Sequence, residues 1–343
     1  MKMNRTPDID PGYVSGVIEE ILGSRIDHTA IAPLPGDASG RRYFRVSFKT
    51  EKRESLIIMK LSEPDESEQP PFINIQNYLK NKKIPVPDIL YYDRTAGLIL
   101  LEDLGPITLE ERLKQESLPA VKKLYKEAID ILLRMQGKSE KKERERCLAY
   151  TLEFDEEKLM WELDFFLTHM IEGLLKKRMG SADREQLRSG FLSVITLLTR
   201  EKKVFTHRDY HSRNIIMNGD TFGIVDFQDA RMGLCQYDLA SLLRDSYFVL
   251  DEETKEELVD YYIGEKEGIE KKKIDRKQFL KVFDYMSIQR NLKAVGTFSY
   301  QKVAKKNDRY LQHIGDTLEY VKNNLEKHKE LAALGKVLWK YLE

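Results

Sequence analysis

The sequence predicts an α+β protein with two lobes: a small, mainly β N-terminal lobe over residues 1–104 and a larger, mainly helical C-terminal lobe over 105–343. Three observations carry this expectation. Through much of the first hundred residues, short β-branched and alternating apolar runs are separated by glycine and proline, the pattern of strands and turns. From Thr108 onward apolar residues recur at three- and four-residue spacing, the helical period. At 343 residues the chain is long enough for two cores, and 41% apolar residues is ordinary for a folded globular protein.

In chain order, "APLPGDASGRRYFRVSF" reads as a hairpin, with Phe44, Val46 and Phe48 alternating after a glycine-containing turn, and "SLIIMKLS" as a short strand. A helix of about three turns is expected from Phe72 to Asn81. "KIPVPDILYYD" then brings prolines and another extended segment. "GLILLEDLG" reads as a buried strand whose polar, glycine-terminated exit closes the small lobe. The segments "LPAVKKLYKEAIDILLRMQ", "EEKLMWELDFFLTHMIEGLL" and "REQLRSGFLSVITLLTR" read as helices, and two short strands interrupt them between Val204 and Ala230. Helices resume with "YDLASLLRDSYFVL" and fill Glu253 to Glu343. The run "KSEKKERER" reads as a solvated loop or helix face.

Lysine plus arginine and aspartate plus glutamate both number 57, so no global basic field exists to draw in nucleic acid or an anionic membrane, and no obligate protein partner is implied. Cys147 and Cys235 are far apart and in no metal-ligand spacing, which argues against a disulfide framework or a zinc site. The first residues lack the apolar core of a signal peptide, and no apolar run approaches a membrane span. A soluble, cytoplasmic protein is expected.

The densest polar cluster lies in "VFTHRDYHSRNIIMNGDTFGIVDFQDA", Val204 to Ala230. Hard cations take oxygen ligands, and Asn214 and Asp226 offer an amide carbonyl and a carboxylate. Asp209, five residues before Asn214, is placed in a loop to orient an attacking hydroxyl and accept its proton. His207 and Arg208 read as supports of that loop. "H-R-D-x-x-x-x-N" followed by "I-V-D-F", after a β-rich lobe, is the arrangement of protein-kinase-like phosphotransferases, which implies ATP as co-substrate and Mg2+, with two ions expected. Upstream, Lys60 ends a strand from which it would reach phosphate oxygens. Gly36, Ser39 and Gly40 would bring backbone N–H groups and a hydroxyl to phosphate, with charge added by Arg41 or Arg42. The backbone from Glu102 to Leu104 is expected to meet adenine.

"HRDYHSRN" with "VDFQDARMGLCQYDLASLLRD" resembles the aminoglycoside phosphotransferase and choline kinase superfamily; His211 stands where eukaryotic protein kinases usually carry lysine. Within that superfamily, "GDASGRRYFRV", "LLEDLG", "HRDYHSRNIIM", "VDFQDA", "YDLASLLRD" and "QRNLKAVGTFSYQ" together resemble the bacterial anomeric kinases of N-acetylmuramate and N-acetylglucosamine, over Gly36 to about Tyr310. The resemblance implies ATP-dependent phosphorylation of a free sugar at C1, for cell-wall recycling or nucleotide-sugar synthesis. One departure from the wider superfamily is visible. "PFINIQNYL" has no glutamate to pair with Lys60, and Glu66 and Glu68, just upstream, are the candidates.

For the acceptor, Gln228 and Asp229 follow the metal-binding aspartate and Arg231 comes two residues later; His211 lies in the same loop. Gln289, Arg290 and Lys293 share one side of an expected helix, either as sugar contacts or as structural ion-pair partners. Glu162 and Asp164 are expected on a surface face, with a sugar contact as the other reading. Asp238 and Arg244 are expected to brace the catalytic segment, and His169 to pack or cap. The alternative acceptors are another hexose, an aminoglycoside or choline; a nucleotide-binding pseudokinase is the reading without catalysis.

Overall fold

The computed structural model describes residues 9–34, 41–49, 54–65, 67 and 69–343. It divides into two units, Met1–Ile73 with Val86–Gly105 and Asn74–Pro85 with Pro106–Glu343. The glycine turn of Gly36, Ser39 and Gly40, like Glu66 and Glu68, lies outside the described residues.

The first unit opens with a helix the strand-dominated reading omitted, α1 (Pro11–Leu22). Its local signals are present in the sequence. Asp10 accepts the Gly12 N–H at 2.9 Å, Pro11 begins the helix, and Gly23 ends it at φ 66°, a left-handed conformation that glycine adopts without a Cβ penalty. Five strands follow: β1 (Asp27–Pro33), β2 (Arg42–Lys49), β3 (Ser55–Lys60) and, beyond α2 (Pro71–Asn81), β4 (Ile89–Asp93) and β5 (Leu98–Glu102). They form one antiparallel sheet in the order β1-β2-β3-β5-β4. Side chains alternate between its faces. Val46, Phe48, Leu56, Ile58, Leu98 and Leu100 bury one face with Val14, Val17 and Ile18 of α1. Each such aliphatic side chain contributes about 1.5–3 kcal/mol on full burial, enough to hold a short helix that would be marginal alone.

Most of α2 belongs with the second unit. Its Tyr78 hydroxyl bonds to Ser139 at 2.6 Å and Tyr150 at 2.8 Å, and its ring stacks on Phe205 with centroids 5.1 Å apart. The second unit continues with β6 (Ile107–Thr108), α3 (Leu109–Leu113), α4 (Leu118–Gln136), α5 (Lys141–Arg146), α6 (Glu156–Phe166) and α7 (Ser181–Thr199). A π-helical turn at Leu167–Leu174 prolongs α6. The charged run forms α5, with no buried residue.

The polar motif is bounded by four short strands, two more than its apolar runs suggested: β7 (Lys203–Thr206), β8 (Ile215–Asn218), β9 (Thr221–Ile224) and β10 (Arg231–Leu234). β7 pairs with β10, and β8 pairs with β6 and β9. The chain closes with α8 (Gln236–Leu243), α9 (Glu252–Glu270), the thirty-residue α10 (Arg276–Lys305), α11 (Ile314–Lys327) and α12 (Ala332–Leu342). A Cβ on Gly296 would meet Phe166 Cα at 2.8 Å, so this glycine permits the close approach of α10 to α6. Among the described residues no helix is long and apolar enough to cross a membrane.

Candidate active site

The loop after β7 is held by a carboxylate with almost no exposure to water. Asp238, in α8, accepts the backbone N–H groups of His207 at 2.7 Å and Arg208 at 2.9 Å. Burial pushes its carboxyl up to about 7 against the pull of those two donors. The clamp fixes Arg208 at φ 85°, a strained conformation for a side chain of its kind. His207 ties the same loop to the segment after β9. Its Nε2 lies 3.1 Å from Val225 O and its Nδ1 accepts the Asp209 N–H at 3.3 Å, which assigns the remaining ring proton to Nε2. A second buried carboxylate, Asp245, accepts the Ser212 N–H at 2.9 Å and the Tyr247 N–H at 2.9 Å. It does the bracing expected of its neighbour Arg244, which instead pairs with Glu252 and lies over the Tyr320 ring.

Asp209 is set apart by its partner. Lys293 reaches from α10 and donates to Asp209 Oδ1 at 2.8 Å. Burial alone would raise the Asp209 pKa, but the adjacent Lys293 and Arg208 charges overcome it and hold the carboxyl far below its usual range. Arg290, one helical turn earlier, is buried and donates to Ser241 Oγ at 3.1 Å, which makes it a packing residue between α10 and α8. Gln289, buried completely, donates to Glu162 Oε2 at 2.9 Å. The spacing of the three residues correctly put them on one side of a helix, and their partners separate their roles.

Asn214 and Asp226 come together. Asn214 Nδ2 donates to Asp209 O at 2.9 Å and lies 3.3 Å from Asp226 Oδ2, leaving Asn214 Oδ1 as an acceptor. Gln228 Nε2 donates to Asp226 Oδ1 at 2.7 Å. Asp226 has φ 64°, so the backbone is strained at this position as well. An amide carbonyl beside a carboxylate suits a hard divalent cation. Mg2+ is such an ion, commonly held by one or two protein oxygens with its other ligands drawn from water and phosphate.

Two further charges gather near the loop. Arg208 lies 3.7 Å from Glu162 and 3.6 Å from Asp229. Glu162, expected on a surface, is 1% exposed, because its position on α6 faces α10 and not water. Asp164 does lie toward the surface, paired with Arg188. His169 packs against Phe165 and Tyr300, as a filler of an aromatic cluster. His211 sits inside the loop, its ring against Tyr247 with centroids 5.1 Å apart and its Nε2 3.4 Å from Asn214 Nδ2.

The expected nucleotide contacts of the first unit have a different distribution. Lys60 shares strand parity with Leu56 and Ile58, the face packed against α1, and donates to Ala96 O. That places it on the face opposite Ile57 and Met59, with its ammonium bonded to the Ala96 carbonyl in place of a carboxylate. Arg45, of opposite parity to Val46 and Phe48, lies on the other face, where it pairs with Asp103 at 2.7 Å and bonds to Gly105 O at 3.1 Å. Glu102 N–H is bonded to Asp88 O at 2.9 Å, while Leu104 is half-buried at the end of the unit and Arg41 half-buried ahead of β2.

Burial holds His207 down at about 4 and His211 at about 3, against about 6.5 in an unfolded chain. As pH falls, the unfolded state therefore takes up protons first. Stability that is fully present above about pH 6.5 is lost as pH falls toward the folded values, at up to about 1.4 kcal/mol per pH unit for each ring. Thermal melts should show Tm falling steadily from pH 6.5 to 4.5 and a shallower fall in His207→Asn. An equal slope in both proteins would remove His207 from this account.

Three comparisons bear on this geometry. A model of the phosphotransferase enzyme family matches residues 30–271. The chain is 31% identical over 301 residues to an N-acetylmuramate/N-acetylglucosamine kinase of Neisseria meningitidis serogroup B, covering 87% of this chain and 86% of that protein. It is 29% identical to the N-acetylmuramate/N-acetylglucosamine kinase of Pseudomonas aeruginosa, over 90% of this chain and 87% of that one. Among solved structures, ADP-bound aminoglycoside phosphotransferase APH(2'')-Ib superposes with a TM-score of 0.59 at 14% identity, covering 92% of this chain and 97% of that one. Choline kinase from Cryptosporidium parvum gives 0.58 at 12% identity, covering 96% and 99%. At such identities the structural likeness speaks for the fold alone.

Proposed function

The chain belongs to the phosphotransferase enzyme family, and from that membership we propose an ATP-dependent kinase acting on the anomeric C1 hydroxyl of an N-acetylated amino sugar, N-acetylmuramate or N-acetylglucosamine, and releasing the sugar 1-phosphate and ADP. The observation that carries the reading is a carboxylate, Asp209, held ionised by Lys293 beside the Asn214–Asp226 pair, in a chain 31% identical to a kinase of those two sugars.

The residues divide the work. Asp209 Oδ accepts a hydrogen bond from the C1 hydroxyl and takes its proton as the new O–P bond forms and the bond from the γ-phosphorus to the ADP oxygen breaks. Its depressed pKa makes it a weak base, which is sufficient because an anomeric hydroxyl is more acidic than an ordinary alcohol. Lys293 keeps the carboxylate charged and oriented. Asn214 Oδ1 and the Asp226 carboxylate would hold Mg2+, which when bound neutralises charge on the phosphate oxygens. Gln228 orients Asp226. A polycationic aminoglycoside or choline fits less well, since Arg208, Arg231 and Lys158 outnumber the carboxylates Glu162 and Asp229 in this part of the unit.

ADP release measured with ATP and Mg2+ against N-acetylmuramate, N-acetylglucosamine, glucose, choline and kanamycin tests the reading. Turnover is expected with the N-acetylated sugars. Turnover confined to choline or kanamycin, or none at all, would overturn it.

A further inference from the structure

Around Glu162 the unit collects more positive charge than it neutralises. Arg208 reaches Glu162 and Asp229 only at 3.7 and 3.6 Å. Arg231, at the start of β10, has its Nε on Asp229 O at 3.3 Å and its guanidinium over the Phe154 ring at 5.2 Å. Lys158, on α6, has its ammonium 4.0 Å from the Trp161 ring centroid. Among the described residues neither Arg231 nor Lys158 has a carboxylate in ion-pair contact. Asp209 does not supply the missing charge, because Lys293 matches it. Three cations thus share two carboxylates, of which Asp229 is half exposed and Glu162 is already committed to Gln289.

Burial and mutual repulsion both mark this excess. The Lys158 ammonium is held below its ordinary pKa by burial, with Glu162 opposing and the Arg208, Arg231 and Lys293 charges adding to the effect. Arg231 is lowered by burial and then by Arg208. Polar atoms are also left over. Glu162 Oε1, Arg208 Nε and Gln228 Oε1 are buried without a hydrogen-bond partner among the described residues. Buried polar atoms are nearly always paired: the Arg208 Nε donor calls for an acceptor and the Glu162 and Gln228 oxygens call for donors, so this set with the surplus cations beside it suits a hydroxyl-bearing ligand that also carries an anionic group. Trp161, 53% exposed, adds an aromatic surface next to Lys158.

We infer that Lys158 and Arg231 form a carboxylate subsite of the acceptor pocket, which binds the lactyl acid that N-acetylmuramate carries on O3 and N-acetylglucosamine lacks. The inference rests on the acceptor class proposed above. Arg231 offers the forked donor pair that suits a carboxylate, and Lys158 a point charge. Lys293 and Arg290, the cations that the helix spacing alone offers for this role, are taken up by Asp209 and Ser241.

The test compares N-acetylmuramate with its uncharged methyl ester, and both with N-acetylglucosamine, in the wild type, Lys158→Met, Arg231→Met and Arg231→Lys. The readout is the acid-to-ester ratio of kcat/KM within each protein, so a variant with a lower active fraction still reports it. The wild type is expected to prefer the acid, and Lys158→Met and Arg231→Met to lower that preference by about 10- to 100-fold, chiefly through KM. Arg231→Lys, the milder change, should retain part of it. An acid-to-ester ratio that is the same in all four proteins, or no preference in the wild type, overturns the subsite while turnover of N-acetylglucosamine leaves the kinase reading standing. Absence of turnover with all three compounds in the wild type overturns both.

Discussion

Asp209→Asn lowers kcat by about 10²- to 10⁴-fold while ATP binding survives. The substitution keeps the size of the side chain and one acceptor oxygen, but removes the charge that pairs with Lys293 at 2.8 Å and the site that takes the acceptor's proton. The loop itself stays in place, because Asp238 holds the His207 and Arg208 amides and His207 bonds to the Asp209 backbone. Nucleotide affinity, read by equilibrium titration, separates a chemical defect from an unfolded loop. Retained kcat with Asn at this position would exclude Asp209 as the proton acceptor.

Asp226→Asn is expected to cost about 10²- to 10³-fold in rate and to raise the Mg2+ concentration needed for half-maximal turnover. Asparagine is a fitting probe, since it tolerates the left-handed φ of 64° that most residues avoid. Its oxygen still accepts from Gln228, while its Nδ2 replaces the Oδ2 that faces Asn214 Nδ2 at 3.3 Å, so the charge and that one acceptor are lost together. A rate loss without a change in Mg2+ dependence would assign Asp226 to the architecture of the loop and not to the ion.

Asp209, Asn214 and Asp226 were legible in the sequence because they lie within eighteen residues and their spacing reflects one local loop. The sugar-facing side was less so, because its members are brought together by long-range packing. Lys293 comes to Asp209 from 84 residues away, and Gln289 to Glu162 from 127. Helical periodicity assigned Glu162 to a surface, since a single period cannot say that two neighbouring elements cover the polar side of a helix as well. Asp245 has no signal of its own in the sequence: adjacent residues at a helix end point in different directions, and only the fold reveals that Asp245, and not Arg244, meets Ser212. Lys60 carries a different lesson. Its parity with Leu56 and Ile58 in "SLIIMK" was already in the sequence, and strand alternation alone assigns it to the α1 face once that face is known to be buried. The helix α1 had readable end signals at Asp10, Pro11 and Gly23, which a strand-dominated reading of the lobe passed over.

The central claim is that the phosphoryl group is transferred to C1 of an N-acetylated amino sugar. Phosphorus NMR of the product formed from ATP and N-acetylmuramate tests it most directly. A phosphorus signal coupled to the anomeric proton is the expected result, and a signal coupled to the C6 protons, or no phosphosugar at all, would contradict it.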